Sequence, residues 1–517
     1  MKRLLAVAGL AFVVISCLTY LPEAFTAHAP VYQGKALRDI PDATTIYTAD
    51  VQVDPQNHRV TGKLHVQFPA TLQEKAYFHL YPNAFENEKK LTGAKWDYLL
   101  GDDRQPGKMM IGQVLVDGQA VTAARIGEDR TILEVPLGVV RKDHPVRQVD
   151  MQFELIVPLN DGRISYNDHA IWLGNWLPIL AIKDAAGWHL DPYYPMGDPF
   201  YSDIADYHVT VTLPSGYQLA STGLESKAVM TEWRPSGGKR YELDARNVRD
   251  FAMVVMDGTY REMSTQAGDT LVRTWWQEGD DLEQVRRMHD TAVRSLAYYG
   301  EEFAPYPYEE YDVVKTGGFF GGMEYPGIVF IEGGYYEERR DYGMIVVAHE
   351  TAHQWFYGLV GNDEVREAWV DEGLTDYATM AFIYRDSPDL GAKYVEMRKT
   401  QAKAASQYSE QGLSVWQPLP LFPTWQSYSE LVYSRAASML WELREAWGED
   451  AVHAALRQYV GQHQYGQGRG EDVVRIFSDV SGGDATPYFD YWLHLKQEKL
   501  TEAEAWKAKG KDKFSRQ

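Results

Sequence analysis

Val346 to Ala378 reads VVAHETAHQWFYGLVGNDEVREAWVDEGLTDYA. It holds H-E-x-x-H at His349, Glu350 and His353, and Glu372 follows within W-V-D-E-G-L-T-D. Residues four apart share a helix face, so His349 and His353 are expected to point at one metal ion. Glu350 sits one step round from that face, placed to reach a water beside the metal. A second helix, beyond the turn Gly361-Asn362-Asp363, offers Glu372 as third ligand. Two imidazoles, a carboxylate and an open fourth position define a catalytic zinc site, one ion per chain. Apolar flanks support the helical reading: Ile345, Val346 and Val347 before the motif, Trp355 and Phe356 after it, and Trp369, Val370 and Leu374 around Glu372. Asp376, one turn past Glu372, is the expected acceptor for the free N–H of a ligand histidine, with Asp371 a second candidate. Asp363, Glu364 and Glu367 read as a solvated helix start.

The motif H-E-T-A-H-Q-W-F, its spacing to Glu372 and the W-V-D-E-G-L setting resemble the aminopeptidase N family of gluzincin zinc peptidases. That family carries a Gly-x-Met-Glu-Asn exopeptidase motif, and Gly321-Gly322-Met323-Glu324-Tyr325 stands in the matching place with Tyr325 for Asn. The resemblance implies that Glu324 pairs with a free α-ammonium while Gly321, Gly322 and Met323 lie along the substrate. It also implies that Glu350 works as general base and acid, and that Tyr433, in Y-x-[KR], donates to the oxyanion. The activity so implied is removal of N-terminal residues from peptides. An endopeptidase or other hydrolase on the same scaffold, and a catalytically silent surface-binding protein, are the competing readings.

Away from the motif, 517 residues call for more than one domain, and 45% hydrophobic content with 15 Trp and 34 Tyr gives a large core to bury. A net charge of -22 argues against nucleic acid as a partner. Lys2-Arg3 precede an apolar run from Leu4 to Leu21, read as a signal peptide or membrane anchor over residues 1–29, so the body is expected outside the cell, held at the membrane or secreted. Cys17, the only cysteine, reads as a plain apolar residue, with a loose lipoprotein box as the alternative, and leaves the body without a disulfide.

Alternation predicts a mostly antiparallel β domain over residues 30–262, saddle-shaped in the resembling family. Ile46, Thr48, Val51 and Val53 are expected in one strand, Val60 to Phe68 in the next, and His79 as a hydrogen-bonded core histidine. Asp206–Leu213 and Tyr217–Thr222 are expected to pair across Pro214-Ser215-Gly216, and Phe251–Val255 to be a buried strand. From Asp281 the spacing of Leu282, Val285, Met288, Ala292 and Leu296 predicts a helix. It opens a mainly helical, thermolysin-like catalytic domain over residues 263–450. A helical segment and tail follow over 451–517, with Lys507–Lys513 as a solvated end. The whole is an α+β multidomain chain, and without the helical superhelix of many relatives its site is expected to be more open.

Overall fold

The computed structural model describes residues 43–70, 74–138, 145–231, 238–318, 321–337 and 340–515. The expected leader and Cys17 lie outside them. Among the described residues no helix is long and apolar enough to cross a membrane.

The N-terminal part is built of β-sheets. Strand Ile46–Asp54 lies at the middle of an eight-stranded sheet, antiparallel to Arg59–Pro69 and parallel to Ala205–Leu213. Period-two alternation puts Val60, Leu64, Val66 and Phe68 inside, as expected. In the first strand the inward set is Tyr47, Ala49, Val51 and Val53. Ile46 and Thr48 fall on the other face, because Tyr47 stacks on Tyr207 with centroids 4.6 Å apart and its hydroxyl accepts from the Leu180 N–H.

The hairpin expected across Pro214-Ser215-Gly216 does not form. Ala205–Leu213 stays in the large sheet, whereas Gln218–Ser221 pairs with Met253–Met256 in a separate four-stranded sheet. Pro214 has no N–H to continue a ladder and Gly216 takes φ 89°, so the chain turns from one sheet to the other. Met253–Met256 is wholly buried between Gln218–Ser221 and Ala170–Leu173. His79 is a core residue, 3% exposed, with Nε2 on the His189 carbonyl.

A five-stranded sheet follows in the order Tyr260–Ala267, Thr270–Gln277, Glu310–Thr316, Ile328–Glu332, Gly322–Met323. Its residues alternate between two cores. Val314, Met323, Tyr325, Ile328 and Phe330 join the N-terminal core, and Val313, Val329 and Ile331 join the helical one. The short edge strand Gly322–Met323 therefore carries the residue after it, Glu324, along the boundary between the two.

The rest is mainly helical. Helix α1 (Leu282–Glu302) is capped by Asp281, whose carboxylate accepts from the N–H groups of Glu283 and Gln284. Val285, Met288, Ala292 and Leu296 are buried, but Leu282, in the first turn, is 43% exposed. Helices α2 (Arg340–Ala352) and α3 (Glu364–Asp386) form the motif pair, followed by α4 (Pro388–Ala404). A π-helical segment, Ser429–Arg435, runs into α5 (Ala436–Trp447). The lysine-rich end keeps its lysines at the surface, as expected, but it is helical and anchored. Lys507–Lys513 falls within α6 (Leu500–Phe514), which buries Ala503 and Trp506 and presses Gly510 against Trp447, where a Cβ would lie 2.4 Å from the ring.

Candidate metal centre

The last turn of α2 and the residue just past its end bring His349 and His353 onto one face, the His353 N–H still bonded to the His349 carbonyl at 3.2 Å. Tyr299 donates to the Ala348 carbonyl and Thr351 shares a hydrogen bond with Tyr311, which fixes the helix in its core. Past the helix end, the chain turns through a short parallel bridge of Val360–Gly361 with Gly466–Gln467. It then enters α3, where Asp363 caps the first turn by accepting from the Arg366 N–H.

Three ligand atoms meet between the helices. His349 Nε2 is 3.1 Å from His353 Nε2 and 3.1 Å from Glu372 Oε2, and His353 Nε2 is 3.3 Å from the same oxygen. Zinc–ligand bonds of about 2.0–2.1 Å at tetrahedral angles put ligand atoms about 3.3 Å apart, so the three groups fit such an ion. All three residues are at most 9% exposed.

The groups behind them set their orientation. His353 Nδ1 is 2.7 Å from Asp371 Oδ1, with Thr375 Oγ1 and the Phe356 carbonyl also in reach. His349 Nδ1 faces Asp376 Oδ1 at 3.6 Å. Helical spacing alone favoured Asp376; Asp371 makes the shorter contact, and each histidine has its own carboxylate. Asp376 is held in turn by Tyr394 and by Arg398 Nη2 at 2.8 Å. Burial works to lower the His349 pKa, but its contacts with Asp376 and Glu372 override that and carry it up to about 9. Glu372 is held well below the usual carboxylate range: burial opposes this, and the two histidines outweigh it.

A cavity of about 640 Å³ opens on these ligands, lined also by Glu350, Glu324, Gly321, Gly322, Tyr433 and Tyr428. Burial pushes the Glu350 carboxyl up to about 7, and its Oε2 has no protein partner. Gly322 gives that carboxylate its space, since a Cβ there would lie 2.3 Å from Glu350 Oε1. Gly321, at φ 81°, makes the turn before it. Tyr433 donates to Glu372 Oε1 and stacks on His349 at 5.7 Å. Burial, then Glu372, pushes its hydroxyl well above the ordinary tyrosine value, which keeps the proton on a donor. Glu324 is 3% exposed and its Oε1 is unpartnered. Burial first, then Asp198, pushes its pKa well up.

Met323, expected along the substrate, turns instead into the N-terminal core, where its sulfur accepts from Arg163 Nε at 2.9 Å. Glu364 is no solvated helix start either: it is 2% exposed with Oε2 unpartnered, because it lies with Val365 on the buried side of the first turn of α3 while Arg366 faces out. Glu367, where α3 kinks, accepts from the Gly470 N–H at 2.7 Å, and burial pushes it up to about 7. Sequence reasoning missed Arg163 and Asp198, a buried ion pair that lines the cavity. Burial lifts the Asp198 pKa to about 6 against the pull of Arg163. Nothing local marks either residue, since they sit 35 positions apart in loops of the β region.

Two histidines and a glutamate around an open cavity, with a further buried glutamate beside them, form a group that could hold one metal ion. Residues 287–492 match the model of the Peptidase family M1 domain. The chain is 24% identical over 313 residues to aminopeptidase N of Haemonchus contortus, a match covering 56% of this chain and 32% of that protein. It is 26% identical over 253 residues to aminopeptidase M1-C of Oryza sativa subsp. japonica, covering 47% and 28%. Aminopeptidase N of Lactococcus lactis subsp. lactis matches at 26% over 219 residues, covering 40% and 26%. Over these stretches the chain is similar to the aminopeptidase N-like metallopeptidases of family M1. The matched stretches span about a third or less of those relatives' own length.

Proposed function

We propose that the protein is a zinc-dependent aminopeptidase, with a catalytic part of thermolysin-like build, that removes N-terminal residues from peptides. The observation that carries this reading is Glu324, a buried carboxylate with an unpartnered oxygen, in the same cavity as His349, His353 and Glu372. A buried unpaired carboxylate is costly unless a cation arrives, and a peptide's α-ammonium is such a cation.

His349, His353 and Glu372 would hold the ion, which when bound supplies a Lewis acid and acidifies water at the open position. Asp371 and Asp376 keep the imidazoles turned to it. Glu350 Oε2 takes the proton from the attacking water and returns it to the departing amine. The Tyr433 hydroxyl, a retained donor at the cavity wall, stabilises the charge that develops on the carbonyl oxygen. Glu324 pairs with the α-ammonium and so sets the scissile bond one residue from the N-terminus. Gly321 and Gly322 leave room along the edge strand for the substrate backbone.

The test uses one peptide with a free and with an acetylated N-terminus, each with and without a chelator. Chelator-sensitive release of the first residue from the free peptide alone is expected. Equal cutting of both peptides would make the protein an endopeptidase, and no cutting of either by metal-loaded protein would leave a surface-binding protein. The N-terminal apolar run supports an exported body tethered at the membrane; release of a shortened chain to the medium would contradict the tether.

A further inference from the structure

Tyr325, where the resembling family has Asn, occupies a niche of its own. It is wholly buried, belongs to the N-terminal core and packs on Phe330 at 5.0 Å. Its hydroxyl donates to Asn175 Oδ1 at 2.6 Å. The Asn175 amide orientation follows from its other contact, since Nδ2 donates to Asp250 Oδ2 and leaves Oδ1 free to accept. Room for the tyrosine comes from Gly174. A Cβ there would stand 1.9 Å from the Tyr325 hydroxyl oxygen and 2.4 Å from the ring carbon that bears it. Gly174 and Tyr325 are therefore a matched pair, 151 positions apart.

The residue on the other side of Glu324 is held from the same place. Arg163 Nε donates to Met323 Sδ at 2.9 Å, and the Gly174 N–H donates to the Arg163 carbonyl at 3.1 Å. Arg163 and Gly174 thus close the base of the hairpin formed by Ile164–Tyr166 and Ala170–Leu173. That base grips Met323 with one arm and Tyr325 with the other, and Glu324 projects between them. A third tie comes from the metal side. Gln354, next to His353, donates to the Tyr325 carbonyl at 3.2 Å and accepts from the Gly327 N–H at 2.8 Å.

The geometry points to Tyr325 as a positioning residue: with Gly174 and Asn175 it clamps Glu324 to the N-terminal β region and fixes the distance from amine anchor to metal. This inference rests on the aminopeptidase reading above. It assigns the hydroxyl of Tyr325 to recognition of the substrate's amine, and not to the metal or to proton transfer. A carboxylate released from that clamp keeps its charge but loses its fixed address, and alignment errors of about 1 Å cost on the order of a hundredfold in such sites.

The test compares two zinc-directed ligands, leucine hydroxamate and 4-methylpentanohydroxamate, which differ only by the α-amino group. Their dissociation constants are measured by calorimetry on metal-loaded wild type, Tyr325→Phe and Asn175→Ala. The wild type is expected to prefer leucine hydroxamate. Tyr325→Phe should weaken leucine hydroxamate about tenfold, the scale of one buried hydrogen bond, and leave the desamino ligand unchanged. Asn175→Ala should reproduce this pattern without touching the motif, and serves alone if Tyr325→Phe does not fold. A preference that survives in both variants, or a parallel loss of both ligands, overturns the clamp while leaving the aminopeptidase reading in place. A wild type with no preference overturns the amine anchor, and the clamp with it.

Discussion

Gly322→Ala displaces the general base without touching a metal ligand. The new Cβ would lie 2.3 Å from Glu350 Oε1, 2.4 Å from its carboxyl carbon and 2.5 Å from Cγ. Ordinary contacts between carbon atoms fall near 3.5–4.0 Å, so the Glu350 side chain has to move by about 1 Å or more. A base acts only within about 2.6–3.2 Å of the proton it takes, and general-base catalysis contributes about 10²–10⁴ in rate. The variant should therefore lose about 10²–10⁴ in kcat with metal content little changed, whatever the new methyl group does to KM at the substrate's edge. The backbone at 322 is not in the left-handed region, so no conformational strain adds to the effect. Stopped assays on an aminoacyl reporter, with metal content by mass spectrometry, read both quantities. Glu350→Gln should fall as far, and the double variant no further, because both changes remove the same group. A full rate in Gly322→Ala, or a rate lost only because metal is lost, would refute the placement of Glu350.

Four further outcomes follow from other parts of the molecule. Tyr433→Phe should lower kcat by about 10²–10³ with metal retained, as for loss of one oxyanion donor; unchanged turnover removes Tyr433 from the mechanism. Asp371→Asn should weaken metal affinity about 10- to 100-fold in a competitive chelator titration, because Asp371 orients His353; unaltered affinity contradicts that role. Arg249 is 1% exposed and donates to the carbonyls of Tyr357, Ser202 and Gly466, joining the β region, the motif loop and the C-terminal helices. Arg249→Ala should cost about 3 kcal/mol or more in urea unfolding by orphaning those acceptors, and a cost below about 1 kcal/mol would show that they find water instead.

Asp250 supplies a pH test: burial pushes its carboxyl up to about 7, against the pull of the Phe251 N–H and Asn175. The folded state then holds this proton more tightly than the unfolded state does. The stability it contributes is complete below the unfolded pKa near 4 and is lost as pH rises to about 7, a change on the order of 4 kcal/mol at most. Asp250→Asn should be more stable than wild type at pH 8 and lose most of that advantage by pH 5; a constant difference across this range would contradict the assignment.

What the sequence displayed was local. The ligands His349, His353 and Glu372 lie within 24 residues on two helices, so spacing alone placed them on facing surfaces. The same rule chose Asp376 over Asp371 because it treats the helix as continuous, and His353 sits just past its end, turned toward Asp371. Glu364 looked like a solvated helix start because charged first turns usually face water; here Glu364 falls on the buried side of that turn. Strand alternation found the β region but not which strands pair, since Gln218–Ser221 carries no mark of the sheet it joins. Arg163, Asp198 and the Gly174–Tyr325 pair were invisible for one reason: each takes its meaning from a contact made far along the chain, and a single sequence does not say which distant residues meet.

The central claim is that one divalent ion, held by His349, His353 and Glu372, works beside a carboxylate that anchors a free amine. It is tested most directly by titrating metal-free protein with zinc while following release of the first residue from a free-amine peptide and from its acetylated twin. The account predicts release from the free peptide alone, rising to a plateau at one ion per chain. Release that needs no ion, or that ignores acetylation, would contradict it.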